Sequence, residues 1–383
     1  MRNKNDVSMQ RMLSVLRKEM WHILRDRLSF ILVTLSPLLL LFTMGFAFSI
    51  DIKNVKVAFL DQDKSPMSRQ YLARLRSTED LDLRYQAENY HQIERWFKSD
   101  RIRAAVIIPP GFNDDILAGR TTGLQILIDG TNPSTAEHAI RHIVLPTENF
   151  AAQLVIARLA QAGTPVETLA PIDLRLRTWY NPSMKFTVGM IPALVAIVMS
   201  MPAMAATLAI TREKERGTME QLIVTPIRRS ELLVGKLIPY ILTGLVSVLL
   251  CVAVAVFVFG VPFKGNLLLY MLLSADFLFA SLSIALMLSA VINNQQVAMM
   301  ASMLIFLFSG FFMSGLLIPL ASMGPEVKME SMMLPTTHFV IISRGIFTKG
   351  QGLSELWGYA AVLLGMGIVF LFLSVVLFKK KLS

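Results

Sequence analysis

The sequence predicts an α-helical polytopic membrane protein with six spans and an α/β domain inserted outside the membrane. Of its 383 residues, 54% are hydrophobic and only 17% are charged, whereas soluble globular chains carry about 25% charged residues. The charges gather in a few blocks and leave apolar runs of the roughly 20 residues that a bilayer-spanning helix needs. Between the first two runs, short strand-like and helix-like stretches alternate, which is typical of an α/β domain.

Six apolar runs are long enough to cross a bilayer as helices. Only the fourth contains an acidic or basic residue, Asp276. A charge within a span is costly and usually faces a cavity or a partner, so Asp276 is a candidate for the transport pathway. The alternative is that it lies near the outer headgroups. The predicted spans are residues 28–50, 186–210, 237–263, 267–292, 297–318 and 356–378.

The N-terminal segment, residues 1–27, predicts an amphipathic helix on the membrane surface that leads into the first span. Basic residues mostly fall outside its apolar stripe, and no short apolar region with a cleavage site indicates a signal peptide. An ordinary cytoplasmic tail is the alternative. The stripe consists of Met9, Met12, Leu13, Leu16, Met20, Ile23 and Leu24.

The basic residues predict the orientation of the chain. The N-terminal segment carries seven Lys/Arg residues, the loop 211–236 carries six and the tail 379–383 carries three, against four in the short loops on the other side. By the positive-inside rule both termini and the 211–236 loop are cytoplasmic. The net charge of +10 is therefore interpreted as a topology signal rather than as a nucleic-acid surface.

The block 51–185 predicts a small extracytoplasmic α/β domain. Trp179 and Tyr180, just before the second span, are typical of interfacial anchors. The expected strands are 55–60, 81–85, 104–108 and 124–128, and the expected helices are 65–76, 90–98 and 134–161.

The cytoplasmic loop 211–236 predicts a short, charged, amphipathic helix held between two spans. Gly217 can break the preceding helix, Thr218 is a plausible N-cap, and Pro226 ends the short helix. Ser230 then restarts the next one. This shape suits a groove on a cytoplasmic partner, and a solvated charged turn is the alternative.

Here the sequence resembles a known family. The run from Arg212 to Leu222 resembles the characteristic motif of ABC-2-type transporter permeases, and matching pieces recur across the whole chain. The resemblance implies an ABC-2, or type V exporter-like, fold of the bacterial efflux or multidrug subgroup with a large extracytoplasmic domain. It also implies a helix that couples to an ATPase. The residues assigned to it are Arg212, Glu213, Glu215, Arg216, Gly217, Thr218, Glu220, Gln221, Leu222 and Pro226. The other matching pieces are 128–133, 179–182, 225–227, 231–236 and 335–339.

The chain has no phosphate-binding loop: Gly235 and Lys236 are followed by leucine, and no glycine lies five residues before Gly235. The resemblance therefore implies a separate P-loop ABC ATPase in two copies, which would bind ATP and Mg, while this chain binds no cofactor and is not itself an enzyme. It further implies a second permease, identical or a close paralogue, in a bacterial inner membrane. A periplasmic adaptor is a further candidate partner.

The region 319–355 stays rather apolar without a clean span and predicts re-entrant helices on the outer side. Gly310 and Gly315 would allow close helix approach, with ordinary packing as the alternative. The resemblance implies that the second and fifth spans line the pathway, where methionine and phenylalanine suit an adaptable apolar surface. The pathway candidates are Met199, Met204, Asp276, Phe308, Phe311 and Phe312.

No other constellation indicates chemistry. His138 and His142 lie four apart on an expected helix without an H-E-x-x-H motif, so no metal site is predicted. Cys251 lies alone in an apolar run, and no intrachain disulfide is possible. The resemblance thus implies an exporter permease for a hydrophobic or amphipathic substrate, such as a drug, lipid or envelope component. A membrane scaffold or sensor without transport, and a membrane-embedded enzyme, are the alternatives.

Overall fold

The computed structural model divides the chain into two compact units. One unit comprises residues 1–50 and 177–383, and the other comprises 51–176. The residues that the structure describes are 4–25, 30–48, 54–78, 80–131, 133–161, 179–182, 185–217 and 229–378.

In the part of the first unit that the structure describes, the regular secondary structure is helical. A π-helical turn, Ile31–Leu35, leads into α2, and another, Met303–Phe308, joins α11 to α12. Its helices are α1 Lys4–Arg25, α2 Ser36–Phe48, α7 Phe186–Val198, α8 Met201–Glu215, α9 Arg229–Phe257, α10 Leu267–Val291, α11 Gln295–Ser302, α12 Ser309–Met313, α13 Pro325–Met332, α14 Pro335–Arg344 and α15 Leu353–Leu377.

Five helical stretches in the described residues are long and apolar enough to cross a membrane: α7 with α8, α9, α10, α11 with α12, and α15. The first apolar run forms a shorter helix, Val33–Phe48, so the count of six spans stays a prediction. The helix α9 begins at Arg229, eight residues before the predicted span. Most of the residues from Glu231 to Lys236 are buried in this additional helical part. The helical membrane fold predicted from the sequence is thus confirmed in its coarse form.

A two-residue turn, Met199 and Ser200, separates α7 from α8. Pro202 follows at the start of α8 and has no backbone N–H, so the helical hydrogen bond to the Val198 carbonyl cannot form. At the turn itself, the Ser200 hydroxyl donates to the Ile197 carbonyl at 2.6 Å. This helix pair is therefore interrupted midway, within a fully buried stretch.

The core of the helical unit is apolar and aromatic. Phe277 of α10 stacks on Phe339 of α14 with ring centroids 4.4 Å apart. Gly367 of α15 lies so close to Phe279 of α10 that a Cβ atom would come within 2.3 Å of the ring. The helices α10 and α15 therefore pack at the short distance that small residues permit.

The region predicted to be re-entrant contains short helices rather than a span. After a 3-10 turn at Leu320–Ser322 come α13, α14 and a π-helical turn, Gly345–Lys349. Phe339 and Phe347 of this region are fully buried in the core. The helix α14 is thus enclosed by protein, which is the condition for short helices at membrane depth, whereas α13 is largely exposed.

The second unit is a four-stranded sheet with helices on both faces. The strand order is β2-β1-β3-β4, where β1 pairs in parallel with β2 and β3, and β4 runs antiparallel to β3. The strands lie where the sequence predicts them, and a small α/β region is thereby confirmed. The elements are β1 Val55–Asp61, α3 Pro66–Arg76, β2 Leu81–Gln86, α4 Tyr90–Lys98, β3 Ala104–Ile108, α5 Phe112–Ala118, β4 Gln125–Ile128 and α6 Pro133–Gln161.

The two faces of the sheet have separate cores. On one face, Tyr71 of α3 packs with Phe112 of α5 and Phe150 of α6. On the other face, Ile93 of α4 packs against Ala58 and its neighbours. The fully buried strand β3 has apolar residues on both faces, as a central strand covered on both sides requires.

Candidate functional site

The candidate site lies where α8 ends and α9 begins, on either side of the residues 218–228, which fall outside the described part of the chain. Helix α8 ends because Gly217 adopts a left-handed conformation, with φ at +70°. Its N–H donates to the Lys214 carbonyl at 3.0 Å, which closes the last turn. The predicted helix break at Gly217 is therefore confirmed. We call residues 211–236 the docking segment.

Two acidic side chains and one basic side chain meet at the base of the docking segment. The Nζ of Lys236 on α9 donates to Glu19 Oε1 of α1 and to Glu213 Oε2 of α8, each at 2.8 Å. The side chains of Lys236 and Glu19 are 2% and 3% exposed, and that of Glu213 is 20% exposed. Charge-assisted bonds of this length in a buried setting fix the three helices relative to one another. We call these residues the Lys236 ion cluster.

The helix α1 approaches α9 closely beside the ion cluster. A Cβ atom on Gly235 would lie 2.9 Å from Val15 Cγ1 and 3.3 Å from the Met12 carbonyl oxygen of α1. Val15 is buried as well. A larger residue than glycine would therefore clash with α1 at this position. Because Gly235 has no side chain, α1 packs closely enough for Lys236 to reach Glu19.

Lys214, on the last turn of α8, binds the end of another helix. Its Nζ donates to the carbonyls of Ser289 and Ala290, at 2.5 and 2.9 Å, at the C-terminus of α10. These carbonyls have no partner within the helix, and a cation there also complements the helix dipole. Adjacent helix ends, α8 and α10, are thereby joined on the same side of the unit as the ion cluster.

A polar cleft lies next to this junction. It is lined by Glu215 at the end of α8, by Asn294, Gln295 and Gln296 at the turn into α11, and by Met299. The Asn294 side chain caps α11 by accepting from the backbone N–H of Gln296 at 2.9 Å. Glu215, predicted to contact the ATPase, is thus exposed beside an uncharged polar rim.

The structure describes half of the predicted coupling residues. Glu213 is half-buried in the Lys236 ion cluster, while Glu215 and Arg216 are exposed and Arg212 is half-buried. The remaining predicted coupling residues lie outside the described residues: Thr218, Glu220, Gln221, Leu222 and Pro226.

The pathway candidates do not form one cluster. Met199 is fully buried at the turn between α7 and α8, and Asp276 is half-buried with one carboxylate oxygen that has no hydrogen-bond partner among the described residues. Phe308 and Phe312 are exposed on one side of their helix with ring centroids 4.7 Å apart. The remaining two, Met204 and Phe311, are half-buried against the core.

The fifth predicted span does approach the second. A Cβ atom on Gly310 of α12 would lie 3.3 Å from the Ile197 side chain of α7. Close approach at a small residue is what the sequence led us to expect of Gly310.

Arg344 joins helix ends near the N-terminus of α7, away from the turn at Met199 and Ser200. This role was not predicted. Its Nε donates to the Gly189 carbonyl of α7, and its Nη1 donates to the Gly315 carbonyl, both at 2.8 Å. The neighbouring Ser343 donates to the Pro192 carbonyl at 2.6 Å. Thus α14 holds the start of α7 and the turn that follows α12. Arg344 is the only arginine after Arg229 in the sequence. An isolated charge among apolar segments indicates a need for a partner, and this signal could have singled out Arg344.

Comparison with known proteins identifies the family. A sequence model described as "ABC-2 family transporter protein" matches residues 27–376. The chain belongs to the ABC-2 transporter family. ABC-2 relatives from Escherichia coli (strain K12) match along most of their length. The probable multidrug ABC transporter permease YbhS is 30% identical over 97% of this chain and 95% of its own length. A second probable multidrug ABC transporter permease, YbhR, is 23% identical over 91% of this chain and 92% of its own length. The inner membrane transport permease YhhJ is 28% identical over 76% of this chain and 77% of its own length.

ABC-2 membership accounts for the general plan of the molecule. The relatives are permeases, that is, membrane components of transporters, and this chain has the several apolar helices such a component needs. The resemblance read from the sequence motifs is therefore confirmed at the level of the family.

Proposed function

We propose that this chain is the membrane permease subunit of an ABC exporter, and that a separate ATPase chain docks on the docking segment, residues 211–236. The cargo is a hydrophobic or amphipathic molecule moved outward from the cytoplasm or the inner leaflet. Two relatives are named as probable multidrug ABC transporter permeases, which supports multidrug transport as the class of activity. ATP and Mg are bound by the partner, in keeping with the absence of a phosphate-binding loop from this sequence.

The observation that carries the proposal is the Lys236 ion cluster. Lys236 and Glu213 stand at the two ends of the docking segment, and one ammonium group joins both ends to Glu19 of α1. A displacement of the segment therefore reaches α1, α8 and α9 together instead of bending a free loop. This is the mechanical property that a docking element needs if it transmits movement from an ATPase.

The next step of the mechanism uses the interrupted helix. Closure of two ATPase subunits shifts α8, which also carries the end of α10 through Lys214. The turn at Met199 and Ser200 lets α8 and α7 change their relative angle. At its other end α7 is held through Gly189 by Arg344, so its movement reaches the short helices of the predicted re-entrant region.

The assembly that follows contains two permeases and two ATPases. The second permease is a copy of this chain or a close paralogue. Six spans place both termini in the cytoplasm and the α/β unit in the periplasm of a bacterial inner membrane, where a periplasmic adaptor is a further candidate partner. The excess of Lys/Arg in the segments 1–27 and 211–236 supports this orientation.

Co-purification tests the proposal. The tagged chain is isolated from host membranes in mild detergent, associated proteins are identified by mass spectrometry, and ATP turnover is measured in nanodiscs. We expect a P-loop ATPase in stoichiometric amount, turnover by the complex and none by the chain alone. Recovery of the chain with a histidine kinase or a periplasmic regulator and without any ATPase would favour the sensor alternative.

A further inference from the structure

Helix α1 has two faces with different surroundings. One face, with Val15 and Glu19, is buried against α9. The opposite face is exposed: Leu13 and Trp21 are each 51% exposed, and Arg17 and Arg25 are exposed as well. The docked face already has its partner, so the exposed face is available to a second one.

The exposed face is basic and aromatic. Leu13, Arg17, Trp21 and Arg25 follow one another at intervals of four, which places them along one side of the helix. Lys18 lies beside them with a side chain that is 53% exposed. We call Arg17, Lys18, Trp21 and Arg25 the basic stripe.

Among the described residues, few acidic groups lie near the charges of the basic stripe. Within the described part of the chain, Arg17 and Arg25 have no carboxylate partner, and the Arg25 guanidinium lies 5.1 Å from the centre of the Trp21 ring. In the described part of the chain, the carboxylate of Glu19 is 3.8 Å from Lys18 but only 2.8 Å from Lys236, with which it is buried. The stripe therefore presents a surplus of positive charge around an aromatic ring.

The chain connection places the stripe at the edge of the apolar helices. Only residues 26–29 separate Arg25 from the helical segment that starts at Phe30. Five residue steps cover at most about 18 Å. On the other side α1 packs at Gly235, within the first two turns of α9. The segment that starts at Phe30 and the helix α9 are both apolar, and α1 lies next to the start of each. We therefore place the stripe at the level where these two helices would leave the hydrocarbon of a bilayer.

We propose that the basic stripe of α1 binds the headgroups of anionic phospholipids. Guanidinium and ammonium groups bind phosphate through charge-assisted hydrogen bonds, and tryptophan favours the interface between headgroups and acyl chains. A lipid surface, rather than a soluble protein, is the occupant that matches both the charge and the position. Because α1 also carries Glu19, a bound headgroup steadies the helix that holds the Lys236 ion cluster. The lipid site itself does not depend on the proposed ATPase partner.

Lipid binding to the purified full-length chain tests this proposal. Native mass spectrometry in mild detergent measures the affinity for dioleoylphosphatidylglycerol and for dioleoylphosphatidylcholine, without any ATPase present. We expect the parent to bind phosphatidylglycerol at least about 10-fold more tightly. The variant R17Q/K18Q/R25Q should lose at least about 10-fold of that affinity, since each basic side chain near an anionic surface contributes about fivefold.

Two further variants separate charge at the stripe from other causes. R17K/R25K keeps the charge and should retain the preference for phosphatidylglycerol. The variant K56Q/R69Q/R95Q removes the same number of charges from exposed positions of the α/β unit and should bind like the parent.

Several results would overturn the proposal. They are equal affinity for the two lipids, unchanged affinity in R17Q/K18Q/R25Q, a loss in R17K/R25K as large as in the glutamine variant, or an equal loss in the α/β-unit variant. Unchanged lipid affinity in R17Q/K18Q/R25Q with loss of ATPase co-purification would assign the stripe to a protein partner instead.

Discussion

Replacing Lys236 with methionine tests the Lys236 ion cluster most sharply. The substitution keeps most of the side-chain volume but removes the ammonium group that bridges Glu19, which is 3% exposed, and Glu213, which is 20% exposed. Removal of one partner from a buried ion pair costs about 3–5 kcal/mol. We expect K236M to lower the free energy of unfolding by about that amount in mixed-micelle denaturation, and to release α1 from α9.

Two matched variants make this prediction refutable. E19Q/E213Q/K236M removes all three charges of the ion cluster and should recover most of the loss, because the main cost is the burial of two carboxylates that have lost their shared ammonium group. K98M breaks an exposed ion pair with Glu94 at the same N–O distance of 2.8 Å and should cost less than about 1 kcal/mol. If K236M unfolds like the parent, or no more easily than K98M, burial of the ion cluster is not what holds α1 in place.

Three smaller perturbations probe the surroundings of the cluster. G217A should lower the free energy of unfolding by about 1 kcal/mol, because Gly217 has a φ of +70° although the space around it is open. The control G358A, at an open helical position, should stabilise the protein slightly. Equal effects of the two substitutions would contradict this prediction. G235V should displace α1 and cost about 1–3 kcal/mol, with partial recovery in G235V/V15A; additive losses would refute the contact. K214M should increase hydrogen exchange at the end of α10, and unchanged exchange would exclude the cap.

The apolar runs and the strands of the α/β unit could be predicted because each depends on local pattern. A strand such as Ala104–Ile108 is apolar on both faces and is followed by two prolines, so its type and its end are both written in adjacent residues. The helix Phe112–Ala118 was not predicted, because it has only seven residues, about two turns, and no side-chain N-cap.

The ion cluster could not be predicted from local pattern, because its members are separated by up to 217 positions in the chain. One signal was present: Lys236 is the only acidic or basic residue between Leu232 and Phe263. An isolated charge at the start of an apolar run needs a partner. The sequence does not say which carboxylate fills that need, since the choice of Glu19 depends on how closely α1 packs at Gly235.

The face that α1 presents to the protein also depended on packing. The predicted stripe combined Met12 with Leu13 and Leu16, yet Leu13 is 51% exposed, while Val15 and Glu19 are the buried positions among the side chains of α1 that the structure describes. Hydrophobic periodicity records every apolar position of a helix. It does not distinguish a surface that contacts protein from one that contacts lipid, because both are apolar.

The measurement that tests the central claim most directly is ATP turnover of the reconstituted complex with the variant E215A/E220A. These substitutions remove two charges from the docking segment and leave all three members of the Lys236 ion cluster in place. We predict that the ATPase is released, or that its turnover loses its dependence on the permease and on cargo. Full assembly with full coupling and transport would contradict the assignment of residues 211–236 as the docking segment.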